Sequence, residues 1–190
     1  MLEDIFKKSL NLSSKLRPEY PQSLGLKYGK WEDIFKNLNF PIPELFAAIY
    51  NNVSGTKRSV EEQQLMDFVP GYRLIHISEL IGEKDTLDSI LENQQLAANE
   101  IVFPLLVNYS SDFICYCMNN NGEEKICILM NDSGELILMY NSPCKFLETI
   151  CEFYTQGVYF LDSERYLDYD IDKESIIGAR MNPGINYWME

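Results

Sequence analysis

Residues 101–140 are IVFPLLVNYSSDFICYCMNNNGEEKICILMNDSGELILMY, four apolar segments separated by short polar ones. Each apolar segment has the length and the β-branched and aromatic content of a strand. The pairs Asn121-Gly122 and Ser133-Gly134, the second preceded by Asp132, are typical of tight turns between antiparallel strands. The sequence therefore predicts an antiparallel meander here, buried on at least one face and in places on both.

Helices are predicted on both sides of the meander. Apolar residues at helical spacing predict a helix at the N-terminus, short helices over 31–38 and 43–50, and a longer one over about 85–96. A strand is predicted over 72–77. After the meander, Ser142-Pro143 is a typical helix start and Gly157 a typical helix end. Helices, then a meander, then a helix predict one α+β domain over residues 1–190.

The charge balance narrows the classes of partner. Sixteen basic and 29 acidic side chains give a formal net charge of −13. Such a chain is a poor partner for nucleic acid or an anionic membrane, and it attracts basic proteins. The alternative is that the acidic surface only keeps the protein soluble. The sequence has no signal-peptide pattern and no apolar stretch long enough to span a membrane, so we expect a cytoplasmic protein.

Residues able to do chemistry are few and scattered. The sequence has no nucleophile, phosphate-loop or zinc-protease motif, and its single histidine, His76, lies within a predicted strand. Five cysteines, odd in number and without zinc-ligand spacing, are expected to be free thiols: Cys115, Cys117, Cys127, Cys144 and Cys151. We therefore expect no catalytic residues, no cofactor and no metal.

Asp168, Asp170 and Asp172 alternate as at the start of an EF-hand calcium loop. That loop needs glycine at its sixth position and glutamate at its twelfth, where this sequence has Lys173 and Ala179. The pattern is better described as part of an acidic segment with interleaved tyrosines.

This acidic segment is the predicted partner-binding surface, because acids steer a basic partner and tyrosines supply contact area at low entropic cost. The alternative is a solvated terminal appendage whose aromatic side chains pack onto the domain. The candidate residues are Asp162, Glu164, Tyr166, Asp168, Tyr169, Asp170, Asp172 and Glu174.

The order of these elements resembles the SUKH superfamily, which includes the yeast cell-wall-synthesis regulator group and many bacterial immunity proteins. The resemblance covers about residues 30–157, and residues 158–190 form a C-terminal acidic extension without a family counterpart. The glycines usual before the aspartate-led strand are replaced by Tyr109-Ser110-Ser111. The matching segments are WEDI at 31–34, FPIP at 40–43, NN at 51–52 with Gly55, YRLIHISEL at 72–80, FPL at 103–105, SDFICY at 111–116, and FLE at 146–148 with Phe153.

The resemblance implies a mixed, largely antiparallel sheet flanked by helices, with no catalytic residue and no cofactor. For bacterial members it also implies neutralisation of a cognate polymorphic toxin, often a nuclease, by occlusion. Nucleases are commonly basic because they hold phosphates, so an acidic inhibitor is complementary to them. The alternative is a non-enzymatic scaffold or regulatory module that uses the same fold for another partner.

Overall fold

The computed structural model describes residues 1–38, 40–97, 100–131 and 134–189. Helices flank a curled antiparallel sheet in one compact domain, so the predicted α+β class is confirmed. In the described residues the helices are α1 (Leu2–Leu16), α2 (Tyr20–Ser23), α3 (Glu32–Asn37), α4 (Glu44–Tyr50), α5 (Leu80–Asn93), α6 (Pro143–Thr155) and α7 (Ile171–Met181). The strands are β1 (Asp67–Val69), β2 (Tyr72–Leu74), β3 (Glu100–Val107), β4 (Phe113–Asn119), β5 (Glu124–Met130), β6 (Glu135–Tyr140), β7 (Tyr159–Leu161) and β8 (Leu167–Tyr169).

The main sheet has six strands in the order β1 to β6, and each neighbouring pair is antiparallel. Strands β3 to β6 are the four strands predicted from residues 101–140. Gly122, with a φ of +80°, forms the first predicted turn, because a backbone in that region favours glycine. Of the second predicted turn, Asp132 and Ser133 lie outside the described residues.

The centre of the sheet is buried on both faces. Positions 113–117 of β4 and 126–129 of β5 are all buried, which is why these segments are continuously apolar rather than alternating. On one side the Phe46 ring of α4 lies 6.0 Å from Phe103 and 5.7 Å from Tyr116, between centroids. These aromatic contacts join the N-terminal helices to the sheet.

The strand predicted over 72–77 is shorter, since β2 ends at Leu74. His76 follows as the N-cap of a single 3-10 turn, Ile77–Glu79, which leads directly into α5 at Leu80. Helix α5 therefore begins earlier than the predicted residue 85. Its first turn contains Gly82, a weak helix former that obscured the start.

A buried ion-pair cluster fixes this junction. The Arg73 guanidinium, 3% exposed, lies 2.7 Å from a Glu79 carboxylate oxygen and 2.5 Å from one of Glu83. It also donates to the Thr56 carbonyl. Because Arg73 belongs to β2 and Glu83 to α5, the cluster joins the sheet to the helix.

Residues 158–189 fold onto the same core and are not an appendage. Strands β7 and β8 form a hairpin, and α7 packs against α6. The Trp188 indole donates to the Met139 carbonyl of β6 at 2.7 Å and lies against Gly178 of α7. The resemblance stopped at residue 157, but the hydrophobic core includes Val158, Tyr159, Leu167, Ile177, Ile185 and Trp188.

Candidate functional site

A small cleft lies where the C-terminal hairpin and α7 meet the main sheet. Its volume is about 90 Å³, and its apolar wall includes Ile114, Ile128 and Met139. Six polar side chains complete the lining, and we call the whole the tyrosine cleft: Tyr72, Tyr140, Tyr159, Tyr169, Glu174 and Tyr187. These six residues come from β2, β6, β7, β8, α7 and the C-terminal turn Asn186–Trp188, so the fold brings together segments far apart in sequence.

Local structure explains how Glu174 reaches the cleft. Tyr159 and Tyr169 are register partners across the β7–β8 hairpin, which places both on the side that faces the sheet. Asp170 then accepts a hydrogen bond from the Lys173 amide at 3.1 Å and caps the start of α7. The capped first turn presents Glu174 on the inner side of the helix, three residues before the buried Ile177.

The Glu174 carboxylate has neither a hydrogen-bond donor nor an ion-pair partner among the residues that the structure describes. The nearby cations of α7 are used elsewhere, because Lys173 pairs with Asp170 and Arg180 with Glu152. Burial alone raises the pKa of Glu174 from 4.5 to about 7. The cleft therefore contains a carboxyl group that changes charge near neutral pH.

The surrounding tyrosines remain neutral in this range. Burial raises the pKa of Tyr72 to about 12 and the pKa values of Tyr140 and Tyr159 further. Burial is also the main cause of the raised pKa of Tyr169 and Tyr187, followed in each case by the nearby Glu174 charge. Across the described residues none of these five hydroxyls takes part in a hydrogen bond. The cleft thus presents neutral hydroxyls and aromatic rings around one titratable carboxyl.

The candidate residues predicted from sequence separate into three groups. Tyr169 and Glu174 lie in the cleft. Two acids have structural roles: Asp162 accepts from the amides of Glu164 and Tyr166 in the hairpin turn, and Asp170 caps α7.

The other candidates are more open to solvent. Glu164, Tyr166 and Asp172 are exposed, and Asp168, half-buried, accepts from the Tyr169 amide. The acidic segment is thus not one uniform surface.

Four cleft residues lie outside the candidate set predicted from sequence: Tyr72, Tyr140, Tyr159 and Tyr187. Each lies next to apolar residues in a segment that reads as ordinary strand or terminal sequence. The only local signal was the abundance of tyrosine itself, which does not say which tyrosines converge.

Large apolar side chains are exposed beside the acids. Six of the fourteen exposed large hydrophobic residues in the described chain belong to 160–189, and two of them are about two-thirds exposed, Ile171 at 68% and Ile176 at 69%. We call the exposed surface of residues 160–189 the C-terminal face. Its exposed apolar residues are Phe160, Tyr166, Tyr169, Ile171, Ile176 and Met189.

The histidine and the cysteines, the other side chains able to do chemistry, lie outside the cleft. His76 Nδ1 lies 2.7 Å from the Ser78 hydroxyl and accepts from the Ser78 amide at 3.2 Å, and burial lowers its pKa. None of the five cysteines forms a disulfide, and the thiols of Cys115, Cys117 and Cys127 are buried within the sheet. Over the described ranges no group of three or more metal-ligating side chains converges.

A wider groove of about 430 Å³ lies near Arg17, Glu62 and Arg165. Its buried cation is partly engaged, because Arg17 donates to the Asp67 carbonyl at 2.8 Å and to the Tyr154 hydroxyl at 3.2 Å, whereas its Nε has no hydrogen-bond partner among the described residues. The Arg17 guanidinium also stacks on Tyr20. The groove walls carry both signs of charge, so they favour neither an anion nor a cation.

No helix among the described residues has the length and apolar character needed to cross a membrane. Neither a scan against models of known protein families nor a search of curated proteins finds a match to this sequence.

Proposed function

We propose that this chain is a non-catalytic, cytoplasmic protein-binding module that neutralises a cognate bacterial toxin domain by covering it. The partner is a basic domain, for which a nuclease is the best candidate. Both the toxin and the SUKH relationship come from the sequence resemblance, and the charge of the chain is consistent with them. Neutralisation needs no reaction, because an occluded toxin cannot reach its substrate.

The observation that carries the proposal is the C-terminal face. Exposed acids and exposed apolar side chains alternate there within a short segment, for example Ile171, Asp172 and Ile176 on α7. Apolar side chains left exposed to water cost free energy in a monomer, and larger groups of them commonly mark interaction sites. Aromatic and aliphatic contacts surrounded by charges are the usual composition of a protein interface.

The acids determine how fast such a partner arrives. With a net charge of −13, the chain attracts a basic surface over the range that salt leaves unscreened, about 8–10 Å at physiological ionic strength. Rim acids of this kind act mainly on the association rate, whereas the apolar contacts act on dissociation. The C-terminal face therefore has acids that speed association and apolar side chains that slow dissociation.

The test uses charge reversal at acids without a structural role. Glu164→Lys with Asp172→Lys leaves the caps at Asp162 and Asp170 intact, because the Glu164 and Asp172 carboxylates make no hydrogen bond or ion pair in the described chain. The matched control is Glu61→Lys with Glu92→Lys, two exposed acids elsewhere that give the same change in net charge. Each double variant is compared with the wild-type chain for protection of cells against a basic toxin domain whose gene adjoins that of this chain, the partner that the proposed function requires, and for association kinetics with that domain.

We expect the Glu164/Asp172 variant to associate at least about tenfold more slowly at low salt, and the control about twofold more slowly. The difference should shrink as salt is added, since screening removes steering. Equal rates for the two variants would place the interface on another surface. A wild-type chain that neither binds the neighbouring toxin nor protects against it would favour the scaffold alternative.

A further inference from the structure

The tyrosine cleft contains a charge without a counter-charge. Glu174 is largely buried, and no basic side chain of the described residues pairs with it. Buried carboxylates in proteins are normally paired or hydrogen-bonded, because an unpaired one is costly to desolvate. A cation from outside the chain would satisfy this group.

The tyrosines that line the cleft can also interact favourably with a cation bound at Glu174. Tyr72, Tyr169 and Tyr187 line the cleft and keep part of their surface exposed, and aromatic rings of this kind attract cations within about 6 Å of their faces. Tyr140 and Tyr159, 3% and 5% exposed, also line the cleft, and their hydroxyls make no hydrogen bond among the described residues. A hydroxyl oxygen accepts from an ammonium N–H, so these two add acceptors beside Glu174.

Size and wall chemistry select among cations. A volume of about 90 Å³ admits a narrow alkyl chain with a compact head, and it is too small for a nucleotide or a folded peptide. Ile114, Ile128 and Met139 provide apolar contact for methylene groups. A lysine side chain has this form, a compact ammonium on four methylenes, whereas the arginine guanidinium is a wide planar group.

We infer that the tyrosine cleft binds the side chain of one lysine presented by a protein partner, with Glu174 as the counter-charge of the ammonium. This deepens the proposed function, on which it rests for the source of the lysine, namely the basic toxin domain. The lysine would act as the anchor of the interface, and the C-terminal face would supply the surrounding contacts.

Lysine binding is coupled to pH through Glu174. The groups that face it are the tyrosines of β2, β6, β7, β8 and the C-terminal turn, all with raised pKa values and neutral below pH 9. Asp112 lies beyond Tyr72, and Asp168 beyond Tyr169. The ammonium, with a pKa of about 10.4, stays charged in this range. Affinity should therefore rise from pH 6 to pH 8 as Glu174 ionises, and then level off.

The experiment measures binding of a small probe to the full-length protein, without any partner. Nα-acetyl-lysine methylamide is titrated at pH 8 and pH 6 while the tyrosine side-chain NMR signals are recorded. The norleucine analogue, which lacks the charge, and the arginine analogue are titrated in parallel. Glu174→Gln removes the proposed counter-charge, and Glu61→Gln, at an exposed acid away from the C-terminal face, is the matched control.

We expect saturable binding of the lysine probe at pH 8, with a Kd of the order of millimolar. Binding should weaken about tenfold at pH 6 and at least tenfold in Glu174→Gln, and change less than about twofold in Glu61→Gln. The norleucine analogue should not saturate. No saturable binding at pH 8, equal binding by Glu174→Gln, or tighter binding of the arginine analogue would each overturn the inference.

Failure here and failure of the proposed function are distinguishable. If the protein does not bind the lysine probe but still binds and neutralises the toxin, only the assignment of lysine to the cleft is overturned. A protein that binds the probe and has no affinity for the neighbouring toxin overturns toxin neutralisation and leaves the lysine-binding cleft intact.

Discussion

Replacing Glu174 by glutamine should stabilise the folded protein at alkaline pH, and the raised pKa of this carboxyl sets the magnitude. Burial raises the pKa of Glu174 from 4.5 to about 7, and a tenfold change in an acid dissociation constant corresponds to about 1.4 kcal/mol. The whole change in pKa corresponds to about 3 kcal/mol, and because the side chain keeps some solvent contact we expect about 2 kcal/mol. Glutamine has nearly the same shape and does not ionise, so it removes this penalty.

The sign follows from which form the folded state prefers. Since the folded pKa is the higher one, the protonated form is favoured, and the contribution of Glu174 to stability is fully present below pH 4.5. It declines as the pH rises and is lost above about pH 7. The advantage of Glu174→Gln should therefore be near zero at pH 4.5 and reach its full size at pH 8.

Urea unfolding at several pH values between 4.5 and 8 measures this difference directly. Glu164→Gln is the control, because an exposed carboxylate should change the free energy of unfolding by less than about 0.5 kcal/mol at any of them. A Glu174→Gln protein that is no more stable than wild type at pH 8, or whose advantage does not shrink toward acid pH, would refute the burial penalty. If this loss in free energy of unfolding is confirmed, the Glu174 carboxylate makes the protein less stable than a neutral side chain would at the same position.

Two further substitutions test the fold around the site. Gly178→Ala should destabilise the protein by about 2 kcal/mol, because the new β-carbon would lie 2.1 Å from the Trp188 ring. Gly82→Ala, which has open space around it, should be neutral or slightly stabilising. Thermal melts that give the two variants the same melting temperature would contradict this packing. His76→Asn should leave both the melting temperature and protection against the toxin unchanged, because asparagine also accepts from the Ser78 amide as an N-cap; lost protection in a variant that melts like wild type would assign His76 a functional role.

The C-terminal segment shows why acids that are equivalent in sequence differ in the structure. Asp162 and Asp170 bind backbone amides in a turn and a helix cap, so their loss would disturb the segment itself. Glu164 and Asp172 are free to meet a partner. A charge-reversal experiment designed on sequence alone would have mixed these two kinds of residue.

The sequence by itself determined the class of fold and the position of its central strands. Apolar segments of strand length with turn residues between them specify β3 to β6, and Ser142-Pro143 with the later Gly157 specifies α6. These signals are local, because strand pairing across a tight turn and helix capping depend on residues close in the chain.

Only the tertiary structure decided which residues form the tyrosine cleft. Tyr72, Tyr140 and Glu174 are separated by tens of residues, and their convergence depends on the curl of the sheet and on how the hairpin and α7 pack against it. The short β7 and β8 and the helix α7 were not predicted, because their apolar residues are too few and too interleaved with acids to show a period. Burial, which raises the pKa of Glu174, is a property of that packing and has no signature in the local sequence.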